Sequence, residues 1–107
     1  MIDTDACVRQ PKDVLDTPSL LIDLDVLAAN IARMAAACRE AGVSWRPHIT
    51  GKKTPEIVRR QLAAGAIGVI CAKVGEAEVM AASGLRDILT ANQIVGAQQI
   101  RRLARRR

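Results

Sequence analysis

The sequence predicts an α/β fold of parallel strands joined by crossover helices, and three observations carry that reading. Apolar runs of strand length alternate with segments of helical period, three of the helical segments stop at a glycine, and Ala66-Ile67-Gly68-Val69-Ile70-Cys71-Ala72 is apolar without alternation. An unbroken apolar run of this length belongs to a strand covered on both faces, as strands of parallel sheets are. Strand, helix and strand at this spacing imply right-handed βαβ units.

Residues 1–16 contain Pro11 and several aspartates without an apolar period, so they read as an extended or loosely ordered lead-in to a domain spanning 17–107. Ser19-Leu20-Leu21-Ile22-Asp23 is a short strand, followed by Leu24 and Asp25 as helix cap. From Val26, Leu27, Ile31, Met34 and Cys38 recur at spacings of four, three and four on one helix face, and Gly42 ends that helix. Val43 to Thr50 reads as the next strand because Pro47 forbids a helix interior; alternation then puts Arg46, His48 and Thr50 on one face. Gly51 lets the chain turn, the Thr54 hydroxyl caps the next helix, and Pro55 suits its first position.

In that helix Ile57, Val58, Leu62 and Ala63 form the buried side, Arg59, Arg60 and Gln61 face outward, and Gly65 stops it. After the 66–72 strand, Lys73 leads into a short helix closed by Gly84; Asp87 to Asn92 is a further strand. Ala97 to Leu103 begin a last helix with Ile100 and Leu103 inward.

Composition narrows the function. One Trp and no Phe or Tyr leave the core to Leu, Ile, Val, Ala and Met. No apolar run approaches the ~18 residues of a membrane span. The acidic opening Met1-Ile2-Asp3-Thr4-Asp5 is unlike a signal peptide, so the expectation is a cytoplasmic protein without a membrane partner. Cys7, Cys38 and Cys71 have neither zinc-ligand nor CxxC spacing and read as reduced thiols. The net charge of +5 comes from Arg101, Arg102, Arg105, Arg106 and Arg107, because residues 1–100 carry eleven groups of each sign. A neutral body, and a basic tail with no aromatic residue beside it for base stacking, argue against nucleic acid.

Parallel α/β folds put their chemistry beyond the carboxyl ends of the strands, which directs attention to the Trp45–Ile57 stretch. His48, the only histidine, excludes a multi-histidine metal site within this chain; it either touches a cofactor ring or satisfies a buried hydrogen bond. Lys52 and Lys53 form a basic step before a helix N-terminus, a place that attracts anions. Lys73 either adds charge near a cofactor or pairs with Glu76 or Glu78, and Asn92 and Gln93 either read a ligand or form a turn.

Four sets of residues recur here in a fixed order. They are Thr17-Pro18 with Asp23-Leu24-Asp25 and Asn30-Ile31, then Arg46-Pro47-His48 with Lys53 and Pro55, then Ala72-Lys73 with Gly75 to Met80, then Asp87-Ile88-Leu89 with Ala91 to Gly96. Over about residues 17–104 this resembles the D-threonine aldolase and D-serine dehydratase-like family, fold type III enzymes similar to the N-terminal domain of alanine racemase. The resemblance implies an incomplete (β/α)8 TIM barrel of about three parallel βα units preceded by a strand and a helix. At 107 residues the chain is far short of the roughly 250 of a complete barrel.

It also implies pyridoxal 5'-phosphate (PLP) held as an imine on a lysine, a small D-amino acid substrate, and lyase chemistry by aldol cleavage or dehydration. In this sequence Thr50 stands at the lysine's position, and a hydroxyl cannot form an imine. Lys52 is the nearest substitute, at the cost of a two-residue shift through Gly51, and Arg46 and His48 are the cofactor-binding candidates. No metal ligands are expected, since the family's metal-binding residues belong to a second domain and its phosphate site to later strands. The expectation is a barrel fragment inactive alone. One alternative is a non-catalytic PLP- or phosphate-binding or self-associating fragment, whose unpaired sheet edges invite homo-oligomers. Another is a protein that binds polyanions through its basic tail.

Overall fold

A computed structural model of the protein describes residues 5–105. After 3-10 turns at Asp5–Cys7 and Lys12–Val14 come helix α1 (Leu24–Glu40), helix α2 (Pro55–Ala63), strand β1 (Val69–Cys71), helix α3 (Val74–Ala82), strand β2 (Ile88–Thr90) and helix α4 (Ala97–Ala104). β1 and β2 pair in parallel with Ile70 opposite Leu89. Among the described residues the result is a mixed α/β fold with a small parallel sheet and four α-helices.

The sheet is wider in hydrogen bonding than its two named strands. Trp45 to Ile49 run alongside β1: Ile67 N–H donates to the Trp45 carbonyl, Ile70 N–H to the Pro47 carbonyl, and Ile49 N–H to the Ile70 carbonyl, each at 2.9 Å. His48 forms a parallel bridge to Ile70. Pro47 has no N–H to offer, so it serves this ladder as an acceptor only.

One face of this sheet is covered. Ile49, Val69 and Cys71 meet Val58 of α2, Met80 of α3 and Leu85 in the buried core, with Leu62, Ala77 and Ile88 packed against it. The other face is open: His48 and Leu89 are exposed and Ile70 is half-buried, one row by register. The 66–72 run was expected to be covered on both faces, but among the described residues only one face is.

Glycine ends three helices by one device. Gly42, Gly65 and Gly84 have φ of +65°, +108° and +86°. Each pairs with a residue beyond it to close two helix carbonyls: Gly42 and Val43 on Arg39 and Cys38, Gly65 and Ala66 on Leu62 and Gln61, Gly84 and Leu85 on Ala81 and Met80. This is the Schellman pattern, in which only glycine takes the left-handed turn without steric cost.

Several sequence expectations are corrected. Ser19 to Asp23 form no strand, because no described strand lies beside them and a strand needs a neighbour for its ladder. The cap of α1 is Asp23, whose carboxylate accepts from the Asp25 and Val26 N–H groups at 3.0 Å, two residues before the expected Asp25. Thr54 precedes α2, but its hydroxyl donates to the Lys52 carbonyl at 2.6 Å and makes no cap. The turn before it takes its left-handed residue at Lys53, φ +46°, and not at Gly51.

In α2, Gln61 is buried and Ala63 exposed, the reverse of the expected stripe. Ile100 and Leu103 of α4 are 54% and 40% exposed, because little of the described chain packs on that helix. The lead-in contains two 3-10 turns, and its first four residues lie outside the described part.

Candidate active site

The carboxyl end of the Trp45–Ile49 segment is where the sequence placed the chemistry. Alternation holds there, since Pro47 and Ile49 are buried while His48 and Thr50 are exposed on the open face. Neither is held in the core.

Arg46 lies on the same face but toward the amino ends of the strands. Its Nη1 is 2.7 Å from Asp87 Oδ1, just before β2. The hydrogen bond from Arg46 holds the Asp87 carboxyl below the usual carboxylate range, and the same bond raises the Arg46 guanidinium. Arg46 thus joins two strands, a contact at the end of the sheet associated with stability.

Lys52 is half-buried and its Nζ donates to the His48 carbonyl at 3.1 Å; burial lowers its pKa. Lys53 turns the other way, with Nζ 3.5 Å from Glu76 Oε1. Glu76 sits in the first turn of α3, where its Oε2 accepts from the Ala72 and Lys73 N–H groups at 2.9 and 3.3 Å. Burial pushes the Glu76 carboxyl up, but those two amides and the Lys53 charge outweigh it and leave the pKa below the ordinary value.

Lys73 was expected either to add charge near a cofactor or to pair with Glu76 or Glu78; Glu76 pairs with Lys53. Glu78 binds the Arg102 guanidinium, with Nε 2.9 Å from Oε1, so one arginine of the basic tail is engaged within the fold. Asn92 donates to the Ala72 carbonyl at 3.0 Å and accepts from the Gln93 N–H at 2.9 Å, which binds the two strand ends together. A cleft of about 560 Å³ opens here, lined by Lys53, Lys73, Glu76, Gln93 and Arg102 among others.

Sequence reasoning missed two residues. Asp87 gave no local signal, its partner being 41 residues away. Glu76 did, because an acidic residue in a first helical turn is well placed to reach back to free N–H groups.

The arrangement offers no amine at position 50 to form an imine with an aldehyde cofactor, and the nearest one is turned onto a backbone carbonyl. The residues present therefore do not fit the imine-forming role. Among the described residues no His, Cys, Asp or Glu side chains group so as to hold a metal ion, and no helix is long and apolar enough to cross a membrane.

No protein-family model matches the chain. D-threonine aldolase from Arthrobacter sp is 47% identical over 90 residues, which covers 81% of this chain and 24% of that protein. 3-Hydroxy-D-aspartate aldolase from Paracoccus denitrificans is 37% identical over 92 residues, or 85% of this chain and 24% of the relative. Among solved structures, D-threonine aldolase from Filomicrobium marinum superposes with a TM-score of 0.82 at 43% identity, covering 84% of this chain and 24% of that one. D-threo-3-hydroxyaspartate dehydratase from Delftia sp. HT23 gives a TM-score of 0.79 at 38% identity over 86% of this chain and 25% of that one. The chain spans about a quarter of the length of these relatives. With the four ordered motifs, these likenesses in sequence and in fold make D-threonine aldolase, 3-hydroxy-D-aspartate aldolase and D-threo-3-hydroxyaspartate dehydratase, fold type III PLP enzymes, homologues of this chain over most of its length.

Proposed function

We propose that residues 17–104 are the amino-terminal part of a PLP-dependent D-amino-acid lyase barrel, and that this chain alone is catalytically silent. The observation that carries the reading is Thr50, exposed at the carboxyl end of the segment that runs beside β1, where the family resemblance calls for the imine-forming lysine. The relatives' names point to D-threonine and 3-hydroxy-D-aspartate, D-amino acids with a hydroxyl on the β-carbon, as the substrate class of the parent enzyme. PLP in such an enzyme supplies an electron sink for bond cleavage at the α-carbon. This chain supplies the open face carrying His48 and the strand ends around the cleft, and three thiols with no disulfide support a cytoplasmic setting.

The test is a chimera in which residues 17–104 replace the matching segment of the Arthrobacter aldolase, with Thr50 or with Thr50→Lys. Expected is a folded Thr50 chimera with neither visible imine absorbance nor turnover, and a Thr50→Lys chimera with both. Turnover by the Thr50 chimera, or a folded but inert Thr50→Lys chimera, overturns the reading. In the chain itself, PLP followed by borohydride labels Lys52 no more than in an unfolded control, whereas specific labelling there makes Lys52 a working substitute.

A further inference from the structure

We infer that Lys53 is a positioning residue for the side chain at position 50, because it latches the turn that carries residue 50 onto the far end of β1. This rests on the functional reading above, in which residue 50 marks the place of the chemistry. Thr50 does not set its own direction: it is exposed, and among the described residues its hydroxyl takes part in no hydrogen bond. The aim of whatever side chain stands there is left to the backbone of the turn.

That turn hangs from one fixed point. Ile49 is fully buried, and its carbonyl accepts from the Lys52 and Lys53 N–H groups at 3.0 and 2.8 Å. Closing the loop this way puts Lys53 at φ +46°, a left-handed conformation that a residue with a Cβ seldom takes. Backbone in that region persists where its surroundings hold it, and such residues gather where a chain must present a group in a set direction.

The holding group is Glu76. The Lys53 side chain borders a small cavity of about 170 Å³ with Ile49, Val79 and Met80, and its Nζ stands 3.5 Å from Glu76 Oε1. Glu76 is itself immobilised: its side chain is 10% exposed and its Oε2 accepts from the Ala72 and Lys73 N–H groups. The cap on α3 uses only Oε2; Oε1 has no hydrogen bond and is left to the Lys53 charge. Lys52 makes no comparable tie, since its Nζ returns to the His48 carbonyl in its own segment. Among the described residues, Lys53 to Glu76 is thus the single side-chain tie from residues 50–53 to another element.

Amide NMR relaxation and hydrogen exchange on the full chain test this. Lys53→Met keeps the stem and removes the charge. In it the Thr50 and Gly51 amides are expected to become more mobile and the amides at 52 and 53 to exchange about two- to fivefold faster, the range an exposed ion pair spans, with the Cys71 amide unchanged. Glu76→Gln gives the same result from the other side of the latch, and the two together add nothing further. Lys53→Arg restores the wild-type values. Arg59→Met, which breaks the exposed pair with Glu56 instead, moves none of them.

In the Thr50→Lys chimera, Lys53→Met is expected to lower kcat by up to about fivefold with KM unchanged, and Lys53→Arg to restore it. A KM that rises while kcat holds overturns the inference, because Lys53 then binds substrate and aims nothing. Amides at 50–53 that match the wild type in both Lys53→Met and Glu76→Gln overturn it as well, as does a Lys53→Arg chain that fails to restore them. An inert Thr50→Lys chimera counts against the functional reading alone, and the amide measurements on the chain then decide the place of Lys53 by themselves.

Discussion

Arg46 and Asp87 close over Gly68. The guanidinium Nη1 lies 2.7 Å from Oδ1 and 3.5 Å from the Asp87 carbonyl oxygen, and a Cβ at Gly68 would stand 2.6 Å from that same carbonyl and 2.8 Å from the Asp87 Cγ. A side chain at 68 and this ion pair compete for one space.

Gly68→Ala is accordingly expected to destabilise the chain by about 1–3 kcal/mol, through overpacking against backbone at a φ that side chains rarely adopt. Asp87→Asn is expected to do less, because the pair is solvent-exposed and salt-screened. Urea titration of both variants checks the order, and an Asp87→Asn loss larger than that of Gly68→Ala contradicts it. The pH sign follows from the lowered Asp87 pKa. Its contribution is present above the ordinary value of 3.8 and is lost as pH falls through the folded-state value, so acid weakens the wild type more than Asp87→Asn.

Glu76 caps α3 and pairs with Lys53, so Glu76→Ala is expected to cost about 1 kcal/mol, the usual value of a lost cap. Its folded-state pKa is lowered, which again means stability present above the ordinary value of 4.5 and lost toward acid. Glu76→Gln keeps an acceptor for the Ala72 and Lys73 amides but cannot titrate. A thermal-unfolding series against pH should therefore be flatter on its acid side for the glutamine variant.

Met80 is 1% exposed and lies in the core cluster beside Leu85, whose N–H it accepts at the end of α3. Met80→Ala is expected to cost about 2–5 kcal/mol, a large share of the stability of a domain of this size. Circular dichroism at 25 °C reads the result; a variant as helical and as urea-resistant as the wild type refutes it.

Cys71 is fully buried in β1, and burial pushes its thiol pKa up. Cys7 and Cys38 are half-buried and free of disulfides. Titration with a disulfide reagent near neutral pH is expected to find two thiols reacting in the native chain and the third only as fast as the chain unfolds. Three thiols reacting at one rate contradict that placement.

Much of the fold was readable because its signals are local. Gly42, Gly65 and Gly84 mark helix ends through their own φ, and Pro55 marks a helix start through its ring. What failed depends on neighbours. Ser19 to Asp23 have strand composition but no described strand beside them. Ile100 and Leu103 share a face that the period reveals without saying whether anything covers it. Gln61 entered the buried side although its type argued for water, and its Oε1 there has no hydrogen-bond partner among the described residues. At the candidate site, the exposure of Thr50 follows from the alternation along its own segment, whereas the hydrogen bond from Arg46 to Asp87, 41 residues on, left no local sign.

The three glycine stops have a consequence for the order of events during synthesis. Each is closed by hydrogen bonds spanning three to five residues, from Gly42 back to Arg39 or from Leu85 back to Met80, so none waits for a distant part of the chain. Contacts that short cost little loop-closure entropy. At the ribosome's pace of about 5–20 residues per second, each helix can be terminated and the next segment aimed before the following helix has been made. The chain thus emerges already punctuated, with strands laid in the right direction while their later neighbours are still being translated.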